Sequence, residues 1–220
     1  MEHNFYIGTC RYESFFYNKF PPRLHTTKEI LNYLVNYNNI DLNSNFVNFI
    51  YGGCLHPQII DIVKKYLKDS NNIFDNIDTI YIEISSLKNY LIDDKYLNAF
   101  YVEDYNIDKN NMKQIELSYD DIYNDLVKIK DLCINKFKIK KIKIITHVNL
   151  KLKKTNNYIL QRDKLINYLL SICKKLEIDI ILPDKILLSK YNDIFLEDVL
   201  YDGLHYSNIE YPKYIINNSL

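Results

Sequence analysis

Five short apolar runs punctuate this chain of 220 residues, at positions 5–7, 46–51, 78–86, 141–147 and 178–182. Stretches long enough for a helix separate them. Ile30, Leu31, Leu34 and Val35 recur at helical spacing, as do Ile59, Ile60, Ile62, Val63 and Leu67, and longer amphipathic stretches cover 119–137 and 157–176. Thr26 or Thr27 suits the cap of the first helix, and Pro57 suits the first turn of the second. Short apolar runs bounded by turn residues and alternating with helices argue for right-handed βαβ units. The expectation is an α/β fold, a three-layer α/β/α arrangement around a five-stranded parallel sheet. The length suits one domain, 1–220, with an insertion at about 87–117 rich in Asp, Asn and Tyr. Short β-like pieces fall there, around 100–102 and 114–117, and an insertion of that length reads as a functional loop or lid. A short helix or loop near 189–200 and a last helix from about Asn208 complete the chain.

Charge excludes one class of function. Lys+Arg and Asp+Glu both total 28, which is no footprint for nucleic acid. The four cysteines form no C-x-x-C pair, against a zinc ribbon or a redox dithiol, and Cys54, Cys133 and Cys173 read as core thiols. No His, Cys, Asp and Glu show metal-ligand spacing, so no metal is expected. No apolar run approaches the ~20 residues of a membrane span, and without a charged n-region and apolar h-region in the first residues a leader is not expected. A reducing, cytoplasmic setting is the expectation. Tyr90, Tyr96, Tyr101 and Tyr105 in the insertion either stack on a sugar ring or pack as ordinary rim residues.

Ligands of open α/β sheets bind outside the carboxyl ends of the strands. That rule gathers Cys10, Gly52-Gly53, Ser85-Ser86 and His147-Val148-Asn149 onto one rim. In Phe5-Tyr6-Ile7-Gly8-Thr9-Cys10-Arg11, the glycine permits a sharp bend. Cys10 then sits at a strand-to-helix turn, where a helix N-terminus and Arg11 favour the thiolate. The competing reading is a buried core thiol. The second signal is Asp202-x-x-His205, an acid placed to orient an imidazole base, followed by Tyr206. Arg11 either holds a phosphate or carboxylate or pairs with a surface acid. His147 either faces the site or is a hydrogen-bonded core or rim histidine. His25 and His56 are loop residues or substrate contacts.

A G-x-[SC] turn after the first strand, glycine after the second, a polar residue after the third and D-x-x-H before the last helix resemble the SGNH/GDSL hydrolase superfamily, over nearly the whole chain. The resemblance implies a flavodoxin-like strand order, 2-1-3-4-5. It puts Cys10 where the family has its nucleophilic serine, Gly52 or Gly53 at the block-two glycine, and Asp202 and His205 at the acid and base. Thr9 stands where GDSL members have Asp, and Ser85-Ser86 replaces the block-three asparagine, leaving Ser86 as a substitute donor. A cysteine here resembles the branch found in capsular polysaccharide biosynthesis. Ile144-Ile145-Thr146-His147, Arg162 and Ile180-Ile181-Leu182-Pro183 fit that layout.

The resemblance therefore implies an acyltransferase with a Cys10–His205–Asp202 triad, moving acetyl from acetyl-CoA to an amino or hydroxyl group of a sugar or nucleotide-sugar. Attack by a thiol on a thioester is nearly balanced in energy, which suits transfer. The oxyanion would be held by the backbone N–H groups of Cys10 and Gly53, with Ser86. Substrate or cofactor would be held by Arg11, His25, Gly52, His147, Asn149 and Tyr206. Two alternatives stand beside it: an SGNH-type esterase or deacetylase acting on acylated carbohydrate, and a non-catalytic glycan-binding module.

Overall fold

Among the described residues four strands, Asn4–Ile7 (β1), Thr79–Ile84 (β2), Lys141–Thr146 (β6) and Asp179–Ile181 (β7), pair in parallel in the order β1-β2-β6-β7, with helices packed on both faces of the sheet. The computed structural model describes residues 4–16, 21–37, 65, 73–92, 95–98 and 112–219. Strand β1 (Asn4–Ile7) lies against β2 (Thr79–Ile84) with Ile7 opposite Ile82. Three strands of a second sheet lie in sequence between β2 and β6 (Lys141–Thr146), and β6 pairs with β2 so that Ile84 faces Thr146. The edge strand β7 (Asp179–Ile181) sets Ile145 opposite Ile181. All six residues of β2 are buried, as expected of a central parallel strand covered on both faces. The expected run at 46–51, with Gly52 and Gly53 after it, lies outside the described residues, as does the helix expected after Pro57. With that run taken out, the order agrees with the one the resemblance implied.

Because side chains alternate across a strand, the sheet has two chemically different faces. Phe5, Ile7, Ile80, Ile82, Ile84, Ile142 and Ile144 point to one. There they meet α1 (Thr27–Asn36), α2 (Tyr119–Asp131) and α3 (Leu160–Leu176) through Ile30, Leu34, Leu126, Ile129, Leu169 and Ile172. Cys133 and Cys173 are core thiols of this layer, and burial pushes both up to about 12. Tyr6, Tyr81, Ile145 and Ile181 point the other way, onto α4 (Pro183–Lys190), the short α5 (Leu196–Val199) and α6 (Glu210–Asn217). The three-layer architecture follows from this division. Among the described residues no helix is long and apolar enough to cross a membrane.

The long insertion contributes a second sheet that the sequence reading did not anticipate. Strands β3 (Lys88–Ile92), β4 (Lys95–Asn98) and β5 (Lys113–Glu116) are antiparallel in the order β4-β3-β5. The third lies where 114–117 was expected to be extended; 100–102 is outside the described residues. The hairpin of β3 and β4 was hidden because Lys, Asn and Tyr dilute its apolar alternation. Buried Asn89 ties this sheet to the start of α1, its Oδ1 accepting from Thr26 Oγ1 at 2.7 Å. The same Thr26 oxygen caps α1 by accepting from Glu29 N–H.

Glu29 itself is buried, with Oε2 accepting from His25 N–H at 2.8 Å. Burial raises its pKa from 4.5 to about 8, against hydrogen bonds from His25 and Thr26 that lower it. A raised folded-state value adds stability that is complete below 4.5 and is lost as pH climbs toward 8. His25, lowered to about 4 by burial and by Arg11, slopes oppositely between 4 and 6.5. Between pH 6.5 and 8 Glu29 is therefore isolated from His25. The urea midpoint of the wild type should fall across that window, and Glu29→Gln should flatten the fall. Parallel curves for the two proteins would show that this carboxyl is not desolvated.

Candidate active site

A carboxylate sits where an all-apolar strand would be expected to carry aliphatic side chains. Glu83, one residue from the end of β2, is 0 % exposed and points to the face of Tyr6 and Tyr81. Its Oε2 accepts from Tyr6 Oη at 2.6 Å, Thr9 Oγ1 at 2.5 Å and Thr9 N–H at 3.0 Å. Its Oε1 accepts from Arg11 Nε at 2.7 Å, and Arg11 Nη2 lies in ion-pair contact with the same oxygen at 2.6 Å. Burial alone would raise this acid; the Arg11 charge and the donors from Thr9 and Tyr6 outweigh it and hold the pKa below the usual carboxylate value. Glu83 therefore remains ionised, and the turn after β1 is laid down over it.

Gly8 makes that close approach possible. A Cβ there would meet Tyr6 Oη at 2.5 Å and Glu83 Cβ at 2.6 Å. The sequence reading gave Gly8 a conformational role. The chain does bend there, and the structure adds a second requirement: the residue must be small because the backbone passes directly over its neighbours, whereas a positive φ belongs, among the described glycines, to Gly203. The thiolate argument from a helix N-terminus is corrected: the first helical element after Cys10 in the described residues is a three-residue 3₁₀ turn (Glu13–Phe15), too short to sum a dipole. Half-buried Cys10 projects from this turn at the carboxyl end of β1.

Arg11 and His147 were nominated to hold substrate or cofactor, and the structure turns both inward. Arg11, 8 % exposed, pairs not with a surface acid but with buried Glu83. Its Nη1 also donates to His147 Nε2 at 2.9 Å. Since guanidinium only donates, Nε2 accepts, so the His147 proton lies on Nδ1 and is given to Val148 O at 3.0 Å. Burial, with Arg11 and Arg162 nearby, pushes His147 well below its ordinary pKa, and it stays neutral. Asn149 is likewise internal, its Oδ1 accepting from Ile159 N–H at 3.1 Å. Tyr206 shares a 2.5 Å hydrogen bond with the Tyr12 hydroxyl.

His25 lies at the rim, its Nδ1 3.3 Å from Ser85 Oγ. Its carbonyl accepts from both Ser85 N–H and Ser86 N–H, while the Ser86 hydroxyl closes a turn with the Lys88 backbone. Both donors of Ser86 are engaged, which corrects its nomination to the oxyanion hole. Gly52, Gly53, Cys54 and His56 lie outside the described residues.

The loop between α5 and α6 carries the acid and the imidazole. His205 Nδ1 and Asp202 Oδ2 are 2.6 Å apart, and Asp202 Oδ1 accepts from Leu204 N–H at 2.8 Å and His205 N–H at 2.7 Å. Burial opposes ionisation of Asp202, but the His205 ring and those two N–H groups together outweigh it and hold its pKa down to about 2. The arrangement makes Nδ1–H the donor to the carboxylate and leaves His205 Nε2 able to take a proton. Leu200 bridges Tyr206, Tyr201 N–H donates to His205 O, and the Tyr201 ring stacks on the imidazole with centroids 5.8 Å apart. His205 and Asp202 side chains are 42 % and 37 % exposed, so water reaches them.

Two contacts join this loop to the Cys10 turn. Arg11 Nη1 donates to Leu204 O at 3.2 Å, and Tyr12 bonds Tyr206. The two residues after Cys10 thus hold the two residues flanking His205. Arg162, on α3, adds a third anchor by donating to Val148 O at 3.0 Å and Gly203 O at 2.6 Å. Glu83 was passed over in the sequence, although an acid between Ile82 and Ile84 in an apolar run was the available signal.

No family model matches the chain. Uncharacterized protein L870 of Acanthamoeba polyphaga mimivirus is 26 % identical over 192 residues, covering 81 % of this chain and 52 % of that protein. The chain thus spans about half the length of that relative. Among solved structures, the chain is similar to Axe2, an acetylxylan esterase from Geobacillus stearothermophilus, with a TM-score of 0.49 and 10 % identity over 99 % of this chain and 91 % of that one. It is also similar to LAE5, an alpha/beta hydrolase enzyme from the metagenome of Lake Arreo, Spain, with a TM-score of 0.45 and 10 % identity over 98 % and 91 %.

Neutralising Glu83 leaves Arg11 charged in the interior. Glu83→Gln should lower the urea-unfolding free energy by about 3–5 kcal/mol, and adding Arg11→Met should recover part of that loss. A loss under about 1 kcal/mol would mean that water reaches the pair.

Proposed function

We propose that this chain is an acyl-ester hydrolase of the SGNH type, acting on acylated carbohydrate with Cys10 as nucleophile, His205 as base and Asp202 as the group that orients it. The observation that supports it is the pair of contacts from Arg11 and Tyr12 to Leu204 and Tyr206, which bring the thiol turn and the imidazole loop to one rim. The substrate class follows the resemblance of the ordered blocks.

In the first half-reaction the Cys10 sulfur attacks the ester carbonyl as its proton passes to His205 Nε2. The Cys10 backbone N–H is the donor proposed for the oxyanion, a kind of contact worth roughly 3–4 kcal/mol of barrier. Collapse breaks the C–O bond, and the sugar alkoxide leaves with the proton from His205. In the second, water gives a proton to His205 and attacks the thioester; the carboxylic acid leaves and the thiol is restored. An exposed dyad favours hydrolysis, because water has direct access to the acyl-enzyme. Withdrawal of Arg11 and His147 into the core removes two groups that would have met the phosphates of acetyl-CoA. A second reading, transfer of acetyl from acetyl-CoA to a sugar amine or hydroxyl, is favoured by cysteine in the nucleophile position, where thioester exchange is nearly isoenergetic.

Turnover of p-nitrophenyl acetate should be abolished by Cys10→Ala and lowered about 10²–10⁴-fold by His205→Ala. Acid-quenched wild type should carry an acetyl mass adduct on Cys10. If acetyl-CoA forms the adduct and only a sugar acceptor discharges it, the transferase reading replaces hydrolysis. Glycan binding untouched by Cys10→Ala, with no adduct from either donor, would leave a binding module.

A further inference from the structure

The Asp202–His205 loop is held to the body of the protein through its backbone as well as its side chains. Gly203 has φ +77°, open to glycine and strained for other residues. Nothing lies within 4 Å of where its Cβ would be, so conformation and not space requires the glycine. The Gly203 carbonyl accepts at 2.6 Å from Arg162 Nη2. The other arm of that guanidinium, Nη1, donates at 3.0 Å to Val148 O, two residues beyond β6. Val148 O also accepts from His147, whose other ring nitrogen accepts from Arg11, and Arg11 reaches Leu204 O. Consecutive carbonyls of the loop, at 203 and 204, are therefore each gripped by an arginine rooted in a different element. Among the charged groups, Arg11 faces Arg162 and neutral His147 lies between them.

We infer that Arg162 is a positioning residue for the proposed reaction: by bridging Val148 O at the sheet rim to Gly203 O, it sets where the His205 imidazole stands relative to Cys10. A planar fork suits this task, because two fixed donors meet two carbonyls at once, which an ammonium cannot reproduce. Arg11 is bound to Glu83 and cannot follow the loop if it drifts; Arg162 is the anchor without an acidic partner among the bonds described. The assignment of a catalytic consequence rests on the proposed Cys10–His205 chemistry, whereas the tether itself does not.

Two readouts separate them. Amide hydrogen exchange at Leu204 and His205, whose N–H groups donate to Asp202, reports loop opening. The pH dependence of Cys10 alkylation by iodoacetamide reports coupling of the thiol to His205. Arg162→Met should speed exchange about 10- to 100-fold, as loss of a hydrogen bond to a charged group predicts. It should also move the alkylation midpoint toward the free-thiol value of about 8.5, and His205→Ala should do the same. Arg162→Lys should fall between Met and wild type, and ethylguanidinium should restore the wild-type midpoint in Arg162→Ala. Should Arg162→Met not fold, Gly203→Ala, which turns the same carbonyl without touching the core, should give the same two changes. Unchanged exchange in a folded Arg162→Met would overturn the inference. If wild type and His205→Ala alkylate alike, the proposed chemistry fails, and exchange alone then decides the tether.

Discussion

A single ionised carboxylate inside the sheet dictates the layout of the surrounding rim. Burying Glu83 without partners would cost several kcal/mol or force protonation. The chain instead surrounds it with donors from Tyr6, Thr9 and Arg11, so that both oxygens are satisfied. Those donors come from β1 and the turn after it, more than seventy positions away in sequence. The carboxylate thus fixes the path of residues 8–11 and the place from which Cys10 projects. It also draws Arg11 out of any surface role, and through Arg11 it reaches His147 and Leu204.

The two faces of the sheet divide the work. The layer of α1, α2 and α3 is an apolar core in which the central isoleucines and two thiols have no polar partners to satisfy. The opposite layer is built from Tyr6, Tyr12, Tyr81 and the C-terminal helices, and this is the face that admits Glu83. Tyrosine suits such a layer because its ring is buried like a hydrophobe while its hydroxyl finds an acceptor. The tyrosines of this layer therefore serve a polar network under the rim.

The imidazole loop illustrates how precision can be delegated. Asp202 organises it locally through three contacts within four residues. Its placement on the molecule is decided by carbonyl contacts to Arg11 and Arg162 and by the Tyr12–Tyr206 hydroxyl pair. Local order and global placement are thus separate problems solved by different groups.

That separation marks how far the sequence could be read. Apolar periodicity located β1, β2, β6 and β7 and the helices between them, since burial on both faces demands unbroken runs. The Thr26 cap and the Asp202–His205 contact are written within three residues each, so neighbouring positions suffice to see them. Arg11, His147, Asn149 and Tyr206 looked like ligand-facing groups because a polar residue at a strand end carries no sign of which way it turns. The register that sets Ile7 beside Ile82 puts Glu83 beneath the turn at Gly8, and that pairing turned Arg11 and His147 inward. Sequence alone determined the elements and the acid–imidazole contact, which depend on interactions between near neighbours. Tertiary structure alone decided which polar groups are buried and which stand at the rim, because a buried charge is satisfied only by partners that folding brings from distant parts of the chain.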